Sequence, residues 1–138
     1  MRLVLDTNIW LDWLVFDDPG LAALRAAVAA GRAEIVIDTA CDAELLRVLD
    51  YPLQKWTLDA TQQMACIAQC RSLARKIEAP CTMQLPHCTD PDDQQFLELA
   101  AGAAADYLIT KDRALLQLAR HPLPFRIMTP AEFTACQA

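Results

Sequence analysis

The sequence predicts an α/β fold in which helices cover both faces of a parallel sheet. Three short apolar runs are typical of strands buried on both faces: RLVL at 2–5, EIVI at 34–37 and YLI at 107–109. The stretches between them have helical spacing, and strands that alternate with helices pair in parallel through right-handed crossovers. A fourth short strand is expected at 126–128.

The elements follow one another along the chain with recognisable boundaries. Asp6 ends the first strand and is expected to cap a helix that begins around Asn8. Further helices are predicted at 21–30, 40–49, 57–77, 91–103 and 112–119. In the run TPAEF, Thr129 is expected to cap a final helix that Pro130 opens. No repeat, linker or low-complexity segment interrupts the chain, so we expect a single domain over residues 1–138.

The composition indicates a globular protein of the cytoplasm. Hydrophobic residues make up 54% of the chain, and no apolar run approaches the roughly 18 to 20 residues that a membrane span needs. The chain turns polar at Asp6, before the apolar core of a signal peptide could form. The six cysteines are therefore expected to be reduced and mostly buried. Cys66 and Cys70 lack a convincing second pair of ligands for a zinc site.

Four acidic residues are predicted to meet at one edge of this sheet, because ligands of parallel α/β sheets bind beyond the carboxyl ends of the strands. They are Asp6, Glu44, Asp93 and Asp112. Taken alone, Asp6 and Asp112 could be helix caps, and Glu44 could pair with Arg47. Asp93 shares a helix face with Phe96 and Leu97, where an acid without a cationic partner costs stability.

Carboxylates that gather at one edge repel one another and raise each other's pKa, so a shared cation is the natural compensation. The net charge of −6 argues against a broad basic surface for nucleic acid, but it agrees with such a cation site. Oxygen ligands suit Mg²⁺ or Mn²⁺, which bind through a few carboxylates together with substrate phosphate. Since divalent ions promote attack on phosphodiesters, hydrolysis of nucleic acid is the leading chemistry.

Several stretches resemble the motifs of PIN domains, in the bacterial branch of toxin components from toxin–antitoxin pairs. They are LVLDTNIWL, AELLRVL followed by the proline of DYP, CTDPDDQQFLELA, ADYLITKD and TPAEF. The likeness runs from Leu3 to about Phe133. It implies a three-layer α/β/α sandwich around a central parallel sheet and a divalent-metal-dependent ribonuclease that acts on single-stranded RNA. An antitoxin protein is then a candidate partner.

The resemblance assigns the family's acids, which bind Mg²⁺ or Mn²⁺ and carry catalysis, to Asp6, Glu44, Asp93 and Asp112. Asn8 and Thr110 match the small polar residues that hold these acids and the waters around the metal. Asp90 and Asp92 offer carboxylates beside Asp93, so a slip of one residue would exchange them. Asp38 departs from the family pattern, which has serine or a similar residue there. It either binds metal or caps the helix that follows.

Contacts with substrate are less strongly indicated. Lys111 and Arg113 flank Asp112 and are candidates to hold RNA phosphates, although exposed loop cations are more often only solvated. The same two interpretations apply to a basic stretch on the predicted helix at 57–77, formed by Arg71, Arg75 and Lys76.

Two aromatic residues follow the first strand. Trp10 and Trp13 could stack on a base, but aromatics three residues apart on an apolar helix favour packing in the core or in a homodimer. The sequence does not decide which oligomer forms.

Two other functions fit an aspartate after the first strand of a parallel sheet. A Mg²⁺-dependent phosphatase of the haloacid dehalogenase type needs a second acid two residues later, where this chain has Asn8. A receiver domain needs a pair of acids that this chain lacks, although Lys111 matches its lysine. A non-catalytic, PIN-like binding module is the remaining alternative, and four intact acids argue against it.

Overall fold

The computed structural model describes residues 1–51 and 57–137, and a five-stranded sheet lies at its centre. The strands are β1 (Arg2–Leu5), β2 (Glu34–Ile37), β3 (Ala74–Lys76), β4 (Tyr107–Ile109) and β5 (Arg126–Met128). They lie in the order β3-β2-β1-β4-β5, and every neighbouring pair is parallel. The sheet therefore presents all its carboxyl ends along one edge.

Helices connect the strands and cover the sheet, which confirms the expected α/β/α sandwich. Within the described ranges they are α1 (Thr7–Leu14), α2 (Ala22–Ala29), α3 (Thr39–Leu49), α4 (Ala60–Leu73), α5 (Gln94–Gly102), α6 (Arg113–Leu116) and α7 (Pro130–Cys136). Short 3-10 turns occur at Pro19–Leu21, Pro91–Asp93 and Gln117–Arg120. None of the helices in this part of the chain is both long and apolar enough to cross a membrane.

The strands expected from the apolar runs are confirmed as β1, β2, β4 and β5. The expected helix at 57–77 is wrong at its C-terminal end, because α4 stops at Leu73 and the next three residues form β3. Alanine, arginine and lysine all favour helices in isolation, but parallel pairing with β2 outweighs that preference here. The proline of the DYP motif, Pro52, lies outside the described residues.

The basic stretch expected on one helix is divided between α4 and β3, which is an edge strand. Arg71 and Lys76 lie 3.5 Å and 3.8 Å from Asp42 Oδ2. Arg75 Nη1 lies 3.4 Å from Glu34 Oε1. These acids partly neutralise the positive charge of the stretch.

The core lies between the sheet and the helices. Trp10 and Trp13 are 2% and 5% exposed, with ring centroids 6.4 Å apart, which confirms the expectation that they pack in the core. All six cysteines are free, as expected. The buried ones are Cys41, Cys66, Cys70 and Cys88.

Gly102, the last residue of α5, lies against the backbone of the β3–α5 connection. A Cβ atom at this position would lie 1.9 Å from the carbonyl oxygen of Ala79, so either the helix or the connection would have to move. We expect Gly102→Ala to lower the free energy of unfolding by about 1 to 3 kcal/mol, as overpacked substitutions do. Unfolding in denaturant, followed by circular dichroism, measures this change.

Ala104, two residues later, provides a control whose substitution should change the free energy of unfolding in the opposite direction. Its φ of +52° lies in the left-handed region, where a Cβ atom is unfavourable. Ala104→Gly should therefore raise the free energy of unfolding, by on the order of 1 kcal/mol. If Gly102→Ala were as stable as the wild type, the steric explanation for Gly102 would be incorrect.

Candidate active site

The carboxyl ends of two neighbouring strands bring the first pair of acids together. β1 pairs with β4 in the register Leu5 with Ile109, and the N–H of Asp6 donates to the carbonyl of Ile109 at 3.2 Å. Thr110 therefore lies directly beside Asp6, and Asp112 follows two residues later. Pairing in the sheet, rather than a flexible loop, holds this part of the site.

Asp6 is 3% exposed, and both of its carboxylate oxygens accept hydrogen bonds. Oδ1 accepts from the N–H of Ile9 at 3.0 Å, which caps α1, and Oδ2 accepts from Oγ1 of Thr110. Thr110 is fully buried and in turn accepts from the N–H of Asp112 at 2.9 Å. Thr110 thus connects the two acids.

Burial raises the pKa of Asp6 to about 6, and the charge of Asp112 adds to this effect. The hydrogen bonds from Thr110 and Ile9 act in the opposite direction and are outweighed. In the metal-free protein, the ionised form of Asp6 is therefore destabilised relative to the protonated form. A nearby cation would stabilise the ionised form.

Asp93 ends the 3-10 turn that Asp90 caps, and it comes directly before α5. Within residues 1–51 and 57–137, its Oδ2 atom is buried and has no hydrogen-bond partner. Burial raises the pKa of Asp93, and the neighbouring carboxylates of Asp112 and Asp90 raise it further. A buried carboxylate oxygen without a donor is an unfavourable arrangement unless a ligand completes it.

Glu44 lies half-buried on α3 and accepts a hydrogen bond from Oγ1 of Thr7, the first residue of α1. The alternative ion pair with Arg47 does not form, although both residues are described. Thr7 was not among the site residues predicted from the sequence. Its position in the DTN run, between Asp6 and Asn8, is the sequence feature that could have indicated a place in the site.

All four expected acids line one cleft of about 210 Å³. Its lining residues are Asp6, Thr7, Asn8, Glu44, Val48, Asp90, Asp92, Asp93, Phe96 and Asp112. Ligand oxygens of Asp90, Asp93 and Asp112 lie within 4.8 Å of one another, so one ion could contact all three. A larger cavity of about 590 Å³ between α2 and α7 contains none of these acids and is mostly apolar. We call the smaller space the acid cleft.

The donor set fits a hard divalent cation. Carboxylate oxygens are the ligands that Mg²⁺ and Mn²⁺ prefer, and no lysine or arginine of the described residues lines the acid cleft. The unpartnered Oδ2 of Asp93 is an oxygen that such an ion could take.

Comparison with known proteins identifies the family. A model of the PIN domain matches residues 2–114, which is most of the chain. The chain belongs to the PIN domain family. A chain of one solved structure has the same fold, with a TM-score of 0.65 and 16% sequence identity. That structure is VapBC2 from Rickettsia felis bound to a DNA fragment from the VapBC2 promoter. The match covers 94% of the present chain and 98% of that chain. The search of curated proteins produced no match.

Asp38, which departs from the family pattern, acts as a cap in this PIN domain. Its Oδ1 accepts from the N–H of Cys41 at 2.9 Å at the start of α3, and Asp38 does not line the acid cleft. Of the two roles that the sequence left open, the structure therefore supports the cap. Asn8 is exposed and does line the cleft.

Neither Lys111 nor Arg113 lines the acid cleft. The ammonium of Lys111 lies 2.5 Å from Asp12 Oδ2 and 3.4 Å from Asp18 Oδ2, and Arg113 is exposed on α6. Hydrogen bonding to Asp12 is the main cause that raises the pKa of Lys111. Their expected contact with RNA phosphates stays a prediction.

The raised pKa of Asp6 makes the stability of the metal-free protein depend on pH. The ordinary value is 3.8 and the folded value about 6, so the folded protein binds this proton more tightly than the unfolded chain does. The resulting stabilisation is complete below about pH 4 and is lost as the pH rises through about 6. In chelator at neutral pH, Asp6→Asn should therefore raise the free energy of unfolding, by up to about 3 kcal/mol. Denaturant unfolding measures the gain, which should shrink near pH 4.

Asp92→Asn is the matched control, because Asp92 lines the same cleft but is exposed. It should produce little gain at either pH. If Asp6→Asn changed stability equally in acid and at neutral pH, ionisation of Asp6 would not be the cause.

Proposed function

We propose that this PIN domain is an endoribonuclease that hydrolyses phosphodiester bonds of single-stranded RNA and depends on Mg²⁺ or Mn²⁺. One observation carries the proposal: four acids from separate parts of the chain line one cleft, in which an oxygen of Asp93 is buried without a donor among the described residues. Carboxylates in this arrangement need a cation, and a divalent cation beside a cleft suits phosphodiester chemistry.

In the proposed site, the carboxylates that hold the metal and carry catalysis are Asp6, Glu44, Asp93 and Asp112, with Asp90 as an additional ligand. When bound, a divalent ion supplies Lewis-acid stabilisation of the charge on the phosphodiester and lowers the pKa of water. Thr110 and the N–H of Ile9 hold the two oxygens of Asp6, and Thr7 holds Glu44. Because these acids are held before any ligand arrives, little reorganisation is needed when substrate binds.

The acid cleft should also make RNA binding depend on the cation. Six carboxylates line it, and the protein carries a net charge of −6, so an RNA phosphate is repelled from the cleft of the metal-free protein. A bound divalent ion reverses the sign of the local charge. Lys111 and Arg113 remain proposed secondary contacts for phosphates outside the cleft, and Lys111 is the weaker of the two because its ammonium is already paired with Asp12 and Asp18.

The cellular setting follows from the resemblance to toxin components. VapBC2, whose fold is similar, was solved bound to a DNA fragment from their promoter. We propose by analogy that this chain, acting as a single domain in the cytoplasm, is the toxin of a pair and that an antitoxin protein covers its acid cleft. A homodimer is a further candidate assembly.

Replacing one acid should separate the proposed nuclease from a binding module. We expect the wild type to cleave a mixed pool of single-stranded RNA with Mn²⁺ and not with chelator. Asp93→Asn should lower the rate by about 100-fold or more, since the loss of residues that only support metal ligands already costs about 10- to 100-fold. Gel analysis of the cleaved RNA and calorimetric titration with Mn²⁺ measure both effects.

Glu98→Gln is the matched control, because Glu98 is an exposed acid of α5 outside the acid cleft. It should cleave as the wild type does. Equal cutting by wild type and Asp93→Asn would point to contamination or to a wrong assignment of this acid. Absence of Mn²⁺ uptake that depends on the acids would favour a binding module.

The hydroxyl of Thr110 should be needed to position the site. Thr110→Val keeps the shape of the side chain but removes the donor to Asp6 and the acceptor for the N–H of Asp112. We expect a loss of about 10- to 100-fold in Mn²⁺ affinity or in cleavage rate, as for other residues that orient metal ligands. Thr110→Ser keeps the hydroxyl and should restore most of both. Similar losses in the valine and serine variants would contradict a role for the hydroxyl.

A further inference from the structure

A second cavity adjoins the acid cleft on the side of α1. It has a volume of about 290 Å³, and we call it the side cavity. It is lined by Asn8, Leu11, Asp12, Phe16, Lys111 and Asp112. Asn8 and Asp112 also line the acid cleft, so these two residues form a wall that the neighbouring spaces share. A ligand whose reacting group lies in the acid cleft can therefore extend into the side cavity.

The charges of the side cavity disfavour a phosphate. Among the described residues, the cation that lines it is Lys111, whose ammonium is paired with Asp12 at 2.5 Å and with Asp18 at 3.4 Å. A phosphate that entered would meet the carboxylates of Asp12 and Asp112, and an ammonium that is already paired does not outweigh them. A neutral group is therefore the better occupant.

The remaining lining suits a flat ring with polar edges. Phe16 is half-buried, packs against the core and contributes an aromatic surface to the cavity. The amide of Asn8 is exposed and can both donate and accept hydrogen bonds. The volume lies just below the roughly 300 to 1,000 Å³ of cavities that hold a whole drug-sized ligand. A single nucleobase combines the required size, flatness and polar edges, and bases stack well on aromatic side chains.

We propose that the side cavity binds the base of a nucleotide next to the scissile phosphodiester, with Phe16 stacking on that base. This inference rests on the proposed ribonuclease function. It assigns the phosphodiester to the acid cleft and the base to the neighbouring cavity, so that binding of the base positions the bond that is cut.

Steady-state kinetics on one defined single-stranded oligoribonucleotide, with Mn²⁺ and with the cut position mapped first, test the proposal. Phe16→Leu should raise KM by about 5- to 100-fold, as the loss of a stacking surface does, with kcat little changed. Phe16→Trp keeps an aromatic ring and should have a KM near that of the wild type. Val15→Ala is the matched control, because Val15 is the half-buried neighbour that does not line the cavity. Mn²⁺ affinity should be the same in all four proteins.

A substrate change provides a second test, whose first step uses the wild type alone. An oligonucleotide that lacks the base on one side of the mapped cut should raise KM for the wild type by a similar factor. On that substrate, Phe16→Leu should add no further loss, because the ring and the base act as one pair. Both sides of the cut are tried in turn.

The outcomes separate the two proposals. If the wild type cleaves with Mn²⁺ but KM is unchanged both by Phe16→Leu and by removal of either base, the side cavity does not bind a base, while the nuclease proposal stands. If Phe16→Leu and Phe16→Trp lower kcat and Mn²⁺ affinity alike, Phe16 acts through the structure and the inference is overturned. If the wild type does not cleave RNA, both proposals fall.

Discussion

The candidate site depends on a hydrogen-bonded connection between two neighbouring strand ends. β1 is the central strand of the sheet, β4 lies beside it, and Thr110 connects the acid after one to the acid after the other. Asp6 and Thr110 are buried, so the core rather than a surface loop sets the position of the first carboxylate. The remaining acids, Asp93 and Glu44, approach this fixed pair from the start of α5 and from α3. Precise spacing of carboxylates is therefore a property of the sheet.

This arrangement stores unfavourable free energy at the place where chemistry is proposed. Burial raises the pKa of Asp6 and of Asp93, and no basic residue of the described part of the chain lines the acid cleft. Lys111, one of the two cations that flank Asp112 in the chain, is instead held by Asp12 and Asp18. The fold thus keeps its own cations away and leaves the carboxylates to a ligand, which is typical of sites selected for binding rather than for stability.

The elements of the fold and the residues of the candidate site differed in how far the sequence alone predicted them. β1, β2 and β4 are continuous apolar runs, so their pattern alone indicated buried parallel strands. The edge strand β3 consists of helix-favouring residues, and only its pairing with β2 makes it a strand. Asp6 and Asp112 were expected at one edge because topology sets strand ends. The bond from Thr7 to Glu44 joins residues 37 positions apart and depends on how α1 packs on α3, which no local pattern contains.

The edge strand β3 also affects how molecules of this protein meet one another. The open border of a sheet can pair with the border of another molecule, which is a common start of aggregation. β3 is only three residues long, and two of them, Arg75 and Lys76, are exposed and charged. Two copies of β3 placed side by side would bring like charges into contact and could form only a few backbone hydrogen bonds. This border of the sheet is therefore poorly suited to pairing with the same border of another copy.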